Sequence, residues 1–73
     1  MKPKEKANEL FNNFYMILLL SDSDHSEEIL VSALAKKCAI IAIDEILKLF
    51  KPLPYSDNVV RYWELVKREV KKL

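Results

Sequence analysis

Apolar residues recur at spacings of three and four in three stretches of the chain. Two polar segments, SDSDHSEE at 21–28 and KPLPYSDN at 51–58, separate these stretches. Spacings of three and four bring side chains to one face of an α-helix, whereas a half-buried strand alternates. A strand is the alternative only at 14–20, but Leu and Met favour a helix there and the alternation is absent. The pattern therefore predicts a helical chain.

The predicted architecture is a three-helix antiparallel bundle of the all-α class, with a long central helix. The helices are expected at about 3–20, 25–51 and 57–72. Asp24 and Ser56 are candidate N-caps for the second and third helices, because a side-chain oxygen at that position accepts a hydrogen bond from the first turn. Pro52 ends the second helix, since the residue before a proline is pushed out of the α region. Residues 1–73 are expected to form a single helical domain.

The central helix is apolar on two sides. Its core face is predicted to carry eight residues: Val31, Ala35, Cys38, Ala39, Ala42, Ile46, Leu49 and Phe50. A second apolar strip consists of Leu30, Leu34, Ile40 and Ile41, with Glu45 at its boundary. Two short neighbouring helices cannot easily cover both sides, and leftover apolar helix surface marks an interface. We therefore expect this strip to bind a second copy, most simply in a dimer, or another protein. The alternative is a monomer in which the other two helices cover both apolar sides of the central helix.

Composition narrows the class of protein. The chain has no glycine, which suits helices better than the tight hairpins of a β-sheet. Its one cysteine, Cys38, excludes a disulfide within the chain, and with His25 it supplies too few ligands for a closed zinc site. The net charge of +1 argues against a general nucleic-acid binder.

The expected location is the cytoplasm. The apolar run FYMILLL at 14–20 is too short to span a bilayer, which needs roughly 20 apolar residues. The charged start MKPKEKANEL lacks the apolar core of a signal peptide. We therefore expect no membrane association.

No catalytic constellation stands in the sequence, so we expect neither enzymatic activity nor a cofactor. Asp44 and Glu45 are adjacent on a helix and point about 100° apart, so they do not converge on a substrate or metal. Asp44 is expected on the polar face, paired with Lys48 one turn later. His25 has no catalytic partner at a fixed spacing. An enzyme would need a site built across subunits.

The third helix carries the best candidate for an anionic-ligand site, formed by Arg61, Tyr62, Lys67 and Arg68. Cations hold phosphates and an aromatic ring stacks on a base. The same cations also suit a solvated helix end, where they complement the helix dipole. A small nucleic-acid-binding or transcriptional adaptor that uses this face is the alternative function.

Two segments together resemble a recurrent pattern in small phage and prophage proteins. KKCAIIAIDEIL at 36–47 is similar to a K-x-C-A-L-I-A-V-D-E-I-L helix, and YWELVKREVKKL at 62–73 is similar to a Y-W-x-x-V-K-x-E-I tail. KANELFNNFY at 6–15 matches an N-terminal K-A-x-E-L-F/V helix more loosely. The resemblance covers most of the chain, consists of common helix-forming residues and carries no catalytic signature.

This resemblance implies a phage accessory protein that acts in the cytoplasm of the host cell. Such a protein binds and neutralises a host component. The target would be a defence-system protein, bound by direct contact, or a cyclic or other signalling nucleotide, sequestered by a helical homo-oligomer. The resemblance assigns no functional residues.

Overall fold

The structure is a computed structural model that describes residues 1–21 and 28–73. These residues form three α-helices: α1 (Pro3–Ser21), α2 (Glu28–Phe50) and α3 (Asp57–Lys72). Each helix packs against the other two. The predicted all-α three-helix bundle is therefore confirmed, and no strand occurs among the described residues, so a strand at 14–20 is ruled out. The predicted start of the second helix at residue 25 and its cap at Asp24 lie outside the described residues.

The core follows one row of residues along α2. The buried side chains of this row are four residues apart: Val31, Ala35, Ala39, Ile43 and Leu47. Ala7 from α1 and Val66 and Val70 from α3 pack into the same core. The alanines carry only a methyl group, so neighbouring helices can approach α2 closely where they lie.

The predicted core face was correct at the start of α2 and wrong at its end. Val31, Ala35 and Ala39 are buried as expected, but Leu49 is 68% exposed, and the prediction missed Ile43 and Leu47. A row with a spacing of four advances about 40° around the helix at each step, because 3.6 residues make one turn. The buried face of α2 therefore rotates along its length, whereas the prediction held it at one angle.

The connection between α2 and α3 is held by Ser56. This residue immediately precedes α3 as predicted, but its hydroxyl makes no capping bond to the first turn. Instead, the Ser56 hydroxyl oxygen lies 2.6 Å from the carbonyl oxygen of Phe50 and 2.7 Å from that of Leu53, and its one proton is shared between these two acceptors. Tyr55 adopts a left-handed backbone conformation with φ of 62°. The buried serine thus ties the last carbonyl group of α2, which also accepts a hydrogen bond from the Leu53 N–H, to the carbonyl group of Leu53 in the connection.

The helix α3 is too short to run beside the whole of α2. It has 16 residues against 23 in α2, a difference of roughly 10 Å at 1.5 Å per residue. The ion pair between Lys67 and Asp44 sets the register of the two helices. From this register, the end of α3 lies near Ala39, and the first turns of α2 extend beyond it together with the C-terminal half of α1.

Candidate functional site

The first candidate surface is apolar and lies mainly at the end of the bundle that α3 does not reach. On α2, Leu30, Leu34 and Ile41 are exposed, the last to 62%. On α1, the exposed large side chains of the C-terminal half are Met16, Ile17, Leu19 and Leu20. We call these seven residues the apolar surface. Together they leave on the order of 600 Å² of side-chain area in water, against about 800 Å² for each partner of a standard protein interface.

The structure places the five predicted residues of this surface differently. Leu30, Leu34 and Ile41 are exposed, whereas Ile40 is partly buried and packs against the core. Ile40 must therefore be removed from the exposed strip; it lies one turn before Asp44, which pairs with Lys67 of α3. Glu45 is exposed and accepts a hydrogen bond from Lys48 at 3.2 Å. This ion pair replaces the predicted bond between Lys48 and Asp44.

The second candidate surface is a groove of about 620 Å³ between α2 and α3. Its floor is the buried side chain of Leu47. Five cations and two carboxylates line its walls: Lys48, Lys51, Lys67, Arg68 and Lys71, with Asp44 and Glu64. We call this feature the cationic groove. Its lining has a formal charge of +3, whereas the whole chain has only +1, so the remaining residues sum to −2.

An ion pair crosses the cationic groove and joins its two walls. The Lys67 ammonium donates to a carboxylate oxygen of Asp44 at 2.8 Å. This hydrogen bond, together with the nearby charges of Lys48 and Lys71, holds the pKa of Asp44 below its ordinary value despite some opposing desolvation. Asp44 is therefore ionised at neutral pH, and its negative charge is paired with the positive charge of Lys67.

Three groove cations have no ion-pair partner among the described residues. They are Lys51, Arg68 and Lys71, since Lys67 is bound to Asp44 and Lys48 to Glu45. The predicted anionic-ligand residues Lys67 and Arg68 both line the groove, and Arg61 and Tyr62 do not. The prediction from α3 alone missed the contribution of α2, because nothing in the sequence shows which face of α2 lies beside α3.

The aromatic residues of α3 serve the core rather than the groove. Tyr62 packs edge-to-face against Trp63, with ring centroids 5.4 Å apart, and both rings lie against the core cluster. Tyr62 does not line the groove, so its predicted stacking on a ligand base has no support from the groove geometry and stays a prediction.

The remaining chemical groups form no site among the described residues. Cys38 is a partly buried free thiol. No group of three His, Cys, Asp or Glu side chains within 1–21 and 28–73 is placed to hold a metal ion. His25 lies outside these ranges. None of the described helices is long and apolar enough to cross a membrane.

Comparison with known proteins finds no matching family model, no matching curated protein and no matching solved structure. The geometry of the apolar surface and of the cationic groove therefore carries the functional argument.

Proposed function

We propose that this protein is a non-enzymatic binding protein that works as a homo-oligomer, most simply a dimer, joined through its apolar surface. The observation that supports this proposal is the short α3, which leaves Leu30, Leu34 and the end of α1 without a covering helix. A second copy supplies a matching pair of helices, so that two hairpins of α1 and α2 pack as a four-helix arrangement.

The physical case for a second copy rests on area and on charge. A chain of 73 residues has a small core and gains stability when exposed apolar area is removed from water. The exposed area of the apolar surface is about three quarters of what one side of a standard interface buries. The net charge of +1 opposes the approach of two copies only weakly.

The resemblance to small phage proteins extends the proposal to a biological role. In that role, the oligomer binds a host component, either a defence-system protein or a signalling nucleotide, and neutralises it by binding alone. An incubation-and-release experiment separates the two targets. A sequestered nucleotide disappears from solution and returns unchanged after the protein is heated, whereas a protein that binds only a defence protein leaves the nucleotide in solution.

Self-association is tested by measuring the molar mass in solution with light scattering after size-exclusion chromatography. Leu30→Lys places a charge within the apolar surface, and Leu49→Lys is its matched control, because both leucines are exposed on α2 at opposite ends. We expect wild type and Leu49→Lys to be dimers and Leu30→Lys to be a monomer, since burying an unpaired ammonium is costly. Ile41→Lys should behave as Leu30→Lys does.

Two results would refute the proposed dimer. One is a wild-type protein that stays monomeric at micromolar concentration. The other is dissociation by Leu49→Lys to the same extent as by Leu30→Lys, which would place the contact elsewhere. Circular dichroism of each variant shows whether the helices remain folded. A lower molar mass in a folded variant then reports dissociation of the dimer and not unfolding.

A further inference from the structure

We propose that the cationic groove binds a linear polyphosphate, as a free inorganic chain or as the phosphate chain of a nucleotide. The inference deepens the proposed binding function and rests on it. The groove, however, lies within one subunit and is separate from the apolar surface, so it can be tested whether or not the protein dimerises.

The distribution of charge favours an anion with several charges. The groove lining has a charge of +3 and the rest of the chain −2, so the cations are concentrated here rather than spread over the surface. Lys51, Arg68 and Lys71 lack ion-pair partners among the described residues, and each presents hydrogen-bond donors. Phosphate oxygens accept such bonds, and an Arg guanidinium binds two of them at once.

The spacing of these cations favours an extended chain over a single phosphate. In the register set by Asp44 and Lys67, Lys51 lies at the end of the groove near the α2–α3 connection and Lys71 lies at the opposite end. About eleven residues along α2 and its C-terminal end separate these two levels, which is roughly 17 Å at 1.5 Å per residue. One phosphate group cannot contact cations at both ends, whereas a chain of phosphates can follow the groove.

The lining also indicates which part of a nucleotide would be recognised. Among residues 1–21 and 28–73, no aromatic side chain lines the groove, and Tyr62 and Trp63 pack together at the core. A base would therefore gain little from stacking, and recognition falls on the phosphates. The volume of about 620 Å³ is within the usual range for small ligands, roughly 300–1,000 Å³, which favours a small anion over a long nucleic acid.

Isothermal titration calorimetry at low salt tests the proposal with inorganic tripolyphosphate as the probe. We expect tripolyphosphate to bind at least about tenfold more tightly than orthophosphate, because it contacts more cations, and the affinity should fall as salt is added. Adenosine triphosphate should bind about as tightly as tripolyphosphate, and adenosine should not bind. If adenosine triphosphate bound much more tightly than tripolyphosphate, the base would be recognised as well. That result would overturn the inference that recognition falls on the phosphates.

The variants locate binding on the groove. Arg68→Gln combined with Lys71→Gln should weaken tripolyphosphate binding by about tenfold, since two exposed contacts are lost. Lys4→Gln is the matched control, because Lys4 is exposed and borders a different hollow beside Leu65. The proposal is overturned by absence of tripolyphosphate binding, by an equal loss in Lys4→Gln, or by tighter binding of a short single-stranded DNA or an acidic peptide. The molar mass of the double variant is measured in parallel and shows whether the protein still dimerises. A loss of tripolyphosphate binding is then not mistaken for a loss of the dimer.

Discussion

The central place of Ile43 in the core predicts that Ile43→Ala strongly destabilises the protein. Its side chain is fully buried, in the same cluster as Val66 and Val70 of α3. Deletion of the side chain beyond Cβ loses the transfer free energy of the removed carbons and leaves a cavity between the helices. Such substitutions lower the free energy of unfolding by about 2–5 kcal/mol. A chain of this length has a free energy of unfolding of about 4–11 kcal/mol in total, so a large share is lost.

Ile41→Ala is the matched comparison, because it makes the same deletion in the same helix, two residues away. Ile41 is 62% exposed within the subunit, so only about a third of the transfer free energy is lost and no cavity forms. We expect a loss of about 0.5–1 kcal/mol for the monomer. The change in helix propensity from Ile to Ala is the same in both variants and cancels in the comparison.

Urea denaturation followed by circular dichroism measures both free energies. The experiment is performed at two protein concentrations, because an oligomer becomes more stable as its concentration rises. At the lower concentration Ile43→Ala should cost several times as much as Ile41→Ala. At the higher concentration the cost of Ile41→Ala should increase, because the residue lies in the proposed interface. Equal costs for the two variants at low concentration would refute the assigned core.

Two further predictions concern the polar contacts. Ser56→Ala should lower the free energy of unfolding by about 0.5–1.5 kcal/mol, because the shared hydrogen bond to the carbonyl groups of Phe50 and Leu53 is lost while the Leu53 N–H still donates to Phe50. Asn58→Ala, at an exposed position two residues later, should cost much less in the same urea titration, and an equal cost would contradict the role of the hydroxyl. Asp44→Asn should reduce the loss of stability in acid. The pKa of Asp44 is lowered in the folded protein, so its ion pair contributes fully above the unfolded value of 3.8 and is lost as pH falls through the lower folded pKa. Between about pH 6 and about pH 3, the urea midpoint of wild type should therefore fall further than that of Asp44→Asn, and identical falls would show that the pair adds no pH-dependent stability.

Much of the fold could be predicted from local pattern. Three helices could be predicted from the spacing of apolar residues and the absence of glycine. The position of Pro52 predicted the end of α2 to within one residue. These features act through neighbouring residues, so no knowledge of distant contacts is needed. The exposure of Leu30, Leu34 and Ile41 was predicted in the same way, from an excess of apolar residues over the helices available to cover them.

The candidate groove could be predicted only in part. Lys67 and Arg68 were recognised as candidates on α3, but Lys48 of α2 and Lys51, which directly follows α2, were not. Asp44 was expected to bind Lys48 within its own helix, whereas it binds Lys67 across the groove. A local pair is visible in the sequence as a spacing of four. A pair between helices depends on how those helices are rotated and shifted relative to each other.

The sequence by itself determined the helices, their approximate ends and the surplus of apolar residues on α2, because helix formation and amphipathicity depend on residues within a few turns. Only the tertiary structure decided that Ile40, Ile43 and Leu47 face the core, that Tyr62 packs against Trp63 beside the core, and that cations from α2, α3 and their connection meet in one groove. The physical reason is that packing selects the angle and register at which helices meet, and a shift of one residue turns a side chain by about 100°.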